Sequence, residues 1–176
     1  MIEFTTLSES GHHHFAKELF EESFPKEERP PFSQLEDRDE NNFHFLVATI
    51  DDDEPIGILS YWTFEEFTYI EHFAIAKEYR GQGLGRAVFL NFMMQHQDQV
   101  VLEIELPNTE TAEHRLEFYG DMGFTRNPQE YWQPSYDGKR LAIPMIIMSK
   151  YELDDGEFED VKQILYTNVY RYTPKK

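Results

Sequence analysis

The sequence predicts a mixed α/β fold: a mostly antiparallel central sheet of about seven strands flanked by helices. Three observations carry that prediction. Between residues 43 and 76, three β-rich apolar runs follow one another across short turns, which implies antiparallel pairing. From 69 to 106 the pattern is strand, helix, strand, which implies a parallel crossover. Near both ends, apolar residues recur at helical spacing. At 176 residues the chain has the size of one compact domain, so a single domain over 1–176 is expected.

The elements follow in order. After a first strand, His12 to Phe24 reads as a helix, with Phe15, Leu19, Phe20 and Ser23 on one face, Ser10 as N-cap and Pro25 ending it. The segment from Pro30 to Asn42, rich in Pro, Asp, Glu and Asn, reads as loop. Phe43 to Ile50 is a strand, Asp51 to Pro55 a turn, Ile56 to Phe64 a second strand of the group and Tyr69 to Ala76 a third. Gly83 to Gln97 then reads as a helix with Leu84, Val88, Phe89, Phe92 and Met93 on one face. Val100 to Leu106 is a strand, and Thr111 to Tyr119 a short helix ended by Gly120 or Gly123. Strands near Phe124 to Trp132 and Leu141 to Met148 precede a last amphipathic helix from about Gly156 to Tyr170, entered through an acidic cluster.

Composition excludes several functions. Sixteen Lys and Arg against 34 Asp and Glu give a net charge of −18, which repels phosphate backbones and anionic lipid. Nucleic-acid and membrane-surface roles are therefore not expected, and cationic partners such as small amines are. The absence of cysteine removes disulfides, a Cys nucleophile and Cys-ligated metal sites. The N-terminus lacks the basic and apolar regions of a signal peptide, and no run approaches the roughly 20 apolar residues of a membrane span. A soluble, cytoplasmic protein is expected. His12, His13 and His14 point in different directions on a helix, so no metal site is expected there.

The chemistry concentrates between Ile70 and Arg86. A strand runs through a short connector into Arg80-Gly81-Gln82-Gly83-Leu84-Gly85 and then a helix. Glycines let a backbone approach a ligand closely, and the free N–H groups of a first helical turn suit a phosphate or pyrophosphate. Lys77, Arg80 and Arg86 surround this turn in an otherwise acidic chain. The Walker pattern is not met, because Gly85-Arg86-Ala87 replaces Gly-Lys-Ser/Thr, and the glycines are too close together for a dinucleotide fingerprint.

Those six residues resemble the Arg/Gln-x-x-Gly-x-Gly/Ala signature of the GCN5-related N-acetyltransferases (GNAT), and Phe118-Tyr119-Gly120-Asp121-Met122-Gly123-Phe124 is similar to the family's second motif. The order of strands and helices matches across nearly the whole chain. The resemblance implies the acyl-CoA N-acyltransferase fold and an enzyme that transfers acetyl from acetyl-CoA to a primary amine. It implies that the backbone of Phe73, Ala74 and Ile75 pairs with the pantetheine arm, as an added strand would. It places the pyrophosphate on the N–H groups of Gly81, Gln82, Gly83, Leu84, Gly85 and Arg86, beside Arg80. It gives Tyr119 the departing thiolate, for which a phenol of ordinary pKa near 10 is a suitable donor.

A base is also needed, because a protonated amine cannot attack a thioester. Strand alternation puts Tyr69, Glu71, Phe73 and Ile75 on one side and His72 on the other. Glu71 is the first candidate base, at a position where relatives often carry a carboxylate, and Glu103 is the second. Glu71 is also a candidate for holding the substrate's amine. So is Glu105, which shares a strand face with Glu103, and Tyr131 and Tyr136 are candidate aromatic walls for the same alkylammonium. Relatives often carry Asn seven residues before the catalytic Tyr. Here that position is Ala112, so Asn108 and Arg115 become candidate coenzyme contacts, Arg115 for a phosphate. Glu103-x-Glu105-x-Pro107 and the run from Tyr131 to Tyr136 resemble an uncharacterised bacterial subgroup. Two other outcomes are carried forward: a non-catalytic acyl-CoA sensor, and transfer to a peptide N-terminus or from another acyl-CoA. By analogy with the fold, a homodimer is expected.

Overall fold

The computed structural model describes residues 1–36, 38 and 41–173. The chain divides into two compact units, one of Met1–Lys26 with Pro30–Val100 and one of Glu27–Arg29 with Val101–Lys176.

In the first unit, β1 (Glu3–Thr6), β2 (Phe43–Ile50), β3 (Glu54–Thr63) and β4 (Thr68–Ile75) lie side by side in that order, every neighbour antiparallel. The turn between β2 and β3 puts Asp51, Asp52 and Asp53 at φ of 28°, 52° and 71°, a region that Asp tolerates better than most side chains. Helices α1 (Leu7–Ser10), α2 (His13–Ser23) and α3 (Phe32–Glu36) precede β2, and α4 (Leu84–Met94) follows β4. One core cluster joins Ala16, Leu19 and Phe20 of α2 to Phe45, Val47, Ile58 and Ala74 of the strands. The other joins Val88 of α4 to Ala48, Ile56 and Ile75.

Two expectations are corrected here. The first long helix begins at His13, with His12 at its N-cap. Ser10 ends the separate helix α1, where its hydroxyl donates to the Leu7 carbonyl and accepts the His12 N–H. Gly11, at φ +73°, makes the break. The segment from 30 to 42 also contains α3; positions 37, 39 and 40 of it lie outside the described residues. Its apolar pair Phe32 and Leu35, one turn apart, is buried against Phe20 and Phe45. Burying each is worth about 1.5–3 kcal/mol, enough to fold a five-residue helix that propensity alone would not support.

In the second unit, β8 (Ile143–Ser149) lies between β5 (Val100–Glu105) and β6 (Thr125–Arg126), and β7 (Tyr131–Gln133) also pairs with β8. All these pairings are antiparallel. The expected strand from 124 to 132 is thus two short strands, giving eight strands among the described residues where about seven were expected. Pro128 cannot donate to a ladder, and the buried Asn127 side chain takes over the ladder's work. Its amide donates to the Ile147 carbonyl and the Ser149 hydroxyl, and its oxygen accepts the Leu153 N–H.

Helices α5 (Glu110–Asp121) and α6 (Asp155–Ile164) complete the unit. Asp154 and Glu157 form a reciprocal capping box at the start of α6, which puts acidic side chains at the positive end of the helix dipole. The helix then widens into a π turn over Leu165–Val169. The fold is the expected mixed α/β class, with mostly antiparallel strands flanked by helices. Among the described residues no helix is long and apolar enough to cross a membrane.

Candidate active site

Strand β4 continues through a 3-10 turn at Lys77–Tyr79 into the glycine-rich connector and α4. Gly81 and Gly83 sit at φ +73° and +77°, a left-handed conformation that side chains rarely adopt. A Cβ at either position would meet nothing within 4 Å, so conformation rather than crowding demands glycine. Gly83 is the N-cap of α4, and no side chain caps the helix. The first-turn N–H groups therefore have no acceptor within the helix and lie at the positive end of its dipole. Arg80 Nε donates to the Ile75 carbonyl at 2.8 Å and Gln82 Nε2 to the Glu78 carbonyl at 2.9 Å, which brace the turn against the end of β4. Arg80, Gln82 and Arg86 are exposed, while Leu84 and Gly85 are half-buried. Phe73, Ala74 and Ile75 pair with Leu59, Ile58 and Gly57 along one edge of β4.

Strict alternation on β4 fails at Glu71. Ser60 pairs with His72 but Tyr61 with Ile70, so Glu71 is the extra residue of a β-bulge. The bulge moves Tyr69 to the face of His72 and leaves Phe73 and Ile75 on the other. Glu71 follows His72: its Oε2 accepts the Trp62 indole N–H at 3.1 Å, pairs with Arg38 Nη1 at 3.5 Å and lies 3.9 Å from His72 Nδ1. The expectation that Glu71 shares a side with Phe73 is thereby corrected. Its side chain has no solvent exposure, so its charge is held by these partners rather than by water. His72 is in turn bonded to the Ser60 hydroxyl at 3.0 Å and flanked by the Phe20 and Phe24 rings. Nothing along the chain marks Arg38 or Trp62, because neither lies in a motif.

In the second unit, Tyr119 lies on α5, whose start is capped by the Thr109 hydroxyl. Its ring meets Phe118 and Phe124. Burial pushes its phenol up to about 12, against a smaller opposing pull from Arg115. Ala112 is buried, and Asn108 is exposed just before α5. Arg115 and Glu105, expected to contact coenzyme and substrate respectively, pair with each other at 2.8 Å.

Glu103 is the centre of a polar network. Its Oε1 accepts the Tyr131 hydroxyl at 2.5 Å, and its Oε2 accepts the Gln133 amide at 2.7 Å and the Tyr170 hydroxyl at 2.6 Å. The Gln133 oxygen takes Arg140 Nη2, and Arg140 Nε reaches the Glu27 carbonyl. Tyr131 is therefore buried with its hydroxyl spent on Glu103, and Tyr136 packs on the Tyr170 ring at 4.9 Å. Glu28 is held above the usual carboxylate range by partial burial and then by Glu105, while Arg140 and Arg115 oppose. Glu28, the Gln133–Arg140 stretch and Tyr170 come from segments far apart in sequence, so no local pattern points to them. Among the described residues no group of three or more His, Asp or Glu side chains could hold a metal.

The network predicts a large stability effect. Glu103→Ala would remove the acceptor that two phenols and an amide share, at about 1.5–3 kcal/mol for each hydrogen bond to a charged group that is lost. A melting temperature lower by several degrees is expected, at about 2–4 °C per kcal/mol for this chain length. An unchanged melting curve would contradict a structural role for the carboxylate.

Comparison with known proteins then bears on the fold and the glycine turn together. The acetyltransferase (GNAT) family model matches residues 12–124. A structure from Bacteroides thetaiotaomicron, assigned to the GNAT acetyltransferases, is 36% identical with a TM-score of 0.87, covering 98% of this chain and 99% of its own. A chimeric spermidine N-acetyltransferase built from Vibrio cholerae and human sequences is 14% identical with a TM-score of 0.61, covering 84% and 93%. Arabidopsis thaliana Naa50, solved with a bisubstrate analogue containing CoA, is 16% identical with a TM-score of 0.61, covering 85% and 98%. These last two share the fold. No match is found among curated proteins. With its glycine turn in place, a family match over most of its length and a 36% identical relative aligned end to end, the chain belongs to the GNAT acetyltransferase family.

Proposed function

We propose that the protein is an acetyl-CoA-dependent N-acetyltransferase that acetylates a primary amine of a small cationic acceptor in a ternary complex. The observation that carries this reading is the pair of left-handed glycines opening an uncapped helix at the end of β4, a cradle of N–H groups suited to a pyrophosphate. The surrounding Lys77, Arg80 and Arg86 support it electrostatically. The −18 net charge favours a cationic acceptor and disfavours nucleic acid and membrane surfaces.

The neutral amine nitrogen attacks the thioester carbonyl, a tetrahedral intermediate forms, and the C–S bond breaks to leave amide and thiolate. Glu71 is assigned the proton lost by the amine, directly or through water. Tyr119 is assigned the thiolate. With its phenol raised to about 12, complete proton transfer to an alkyl thiolate of ordinary pKa near 8.5 is uphill by about 5 kcal/mol. Tyr119 thus serves as a hydrogen-bond donor that remains protonated and stabilises the departing charge.

Calorimetric titration with acetyl-CoA, NADH and ATP tests the reading. Selective acetyl-CoA binding is expected, followed by thiol release in a screen of polyamines, aminoglycosides, amino acids and peptides. Absence of acetyl-CoA binding would overturn it. Turnover confined to peptide N-termini would move the acceptor class from small amines to proteins.

A further inference from the structure

The pairing of Glu71 with Arg38 is more than an ion pair. The Arg38 guanidinium carbon lies 4.4 Å from the centre of the Phe43 ring and 4.8 Å from that of Trp62, while Nη1 faces the Glu71 carboxylate. The two rings are 5.1 Å apart and tilted by 58°, so they form two walls of a cleft with the carboxylate as its end. Planar guanidinium stacks on aromatic faces and matches a carboxylate edge, which an ammonium does less well. Trp62 serves twice, since its ring covers Arg38 and its N–H holds the same Glu71 oxygen. The bulge in β4 is what turns Glu71 into this cleft.

We propose that Phe43, Trp62 and Glu71 form a guanidinium-binding cage whose resident is Arg38, and that Arg38 is a positioning residue for Glu71 in acetyl transfer. The second half rests on the assignment of Glu71 as the base; the first does not. Arg38 acts through Glu71, fixing its carboxylate against Trp62 and supplying the counter-charge that a fully buried carboxylate needs. Arg38 and Phe43, though not Trp62 or Glu71, border a cavity of about 410 Å³ shared with Thr6, Ser8 and Glu36, so truncating the Arg38 side chain would open a route from that space to the cage.

The test empties the cage and refills it. The sequence has two tryptophans, so Trp132→Phe leaves Trp62 as sole reporter. In that background, Arg38→Ala is titrated with methylguanidinium at millimolar concentration, with methylammonium as control. The expected result is a saturable Trp62 fluorescence change with methylguanidinium, about tenfold or more weaker with methylammonium, and none in the Arg38-containing parent. Turnover of Arg38→Ala should fall at least tenfold with KM for acetyl-CoA within twofold, and methylguanidinium should restore a measurable part of kcat. Arg38→Lys should retain more turnover than Arg38→Met at matched melting temperatures, and these two variants carry the kinetic test if Arg38→Ala does not fold. No saturable fluorescence change in a folded Arg38→Ala protein would overturn the cage. Binding without recovery of kcat, or equal kcat in the Lys and Met variants, would overturn the positioning role. Glu71→Gln separates the two readings: full turnover in that variant removes Glu71 as base and the positioning role with it, while the fluorescence titration still decides the cage.

Discussion

Tyr119→Phe is expected to lower turnover by about 100-fold or more while leaving the acetyl-CoA dissociation constant within twofold, because the lost hydroxyl acts on charge that appears only as the thiolate leaves. Steady-state kinetics with calorimetry checks both halves. Phe keeps the ring that packs against Phe118 and Phe124, so the melting temperature should hardly change. A pH profile gives an independent check. Burial holds this phenol near 12, so it stays protonated through the range in which an ordinary tyrosine titrates. Turnover should therefore show no loss near pH 10 from this group and decline only as pH rises toward the raised value. Unchanged turnover in the Phe variant would make Tyr119 structural and place the donor elsewhere.

The second large effect is expected at the glycine turn. Gly83→Val should reduce acetyl-CoA affinity below detection in a titration that readily measures the parent. A β-branched residue at φ +77° is strained by about 1–2 kcal/mol or more, and the backbone will relax toward negative φ. That relaxation re-aims the N–H groups of the first turn of α4, which is what the coenzyme's pyrophosphate is proposed to need. The surroundings of Gly83 are open, with nothing within 4 Å of an added Cβ, so the fold should survive. Circular dichroism matching the parent with lost binding is the expected pair of results. Retained affinity would sink the pyrophosphate assignment.

The two predictions differ in how much of their basis is legible along the chain. The glycine turn is legible because positive φ is a local demand: Gly81 and Gly83 sit where the connector enters α4, and spacing alone marks them. The strand of 43–50 is likewise legible with its observed bounds, since apolar β-branched and aromatic residues between polar turns leave few alternatives. Period-two reasoning works along the end of β5, where Glu103 is half-buried between the buried Leu102 and Ile104 and Glu105 is half-buried again. It fails on β4 because a bulge shifts the phase of every residue beyond it, and no glycine or proline between Tyr69 and Ile75 announces one. The helix at Phe32–Glu36 escapes local pattern for a related reason, since its two apolar residues count only once Phe20 and Phe45 are there to receive them.

By itself, then, the sequence determined the fold class, the family resemblance, the glycine turn and the acidic character of the molecule. All of these depend on composition or on constraints spanning a few consecutive residues. Only the tertiary structure decided what each carboxylate faces: Glu71 turned to Trp62 and Arg38, Glu105 paired with Arg115, and Glu103 gripped by Tyr131, Gln133 and Tyr170. The physical reason is that a buried charge is defined by its partners. Those partners, 9 to 67 residues apart, are brought together by strand register and helix docking, which local pattern does not report.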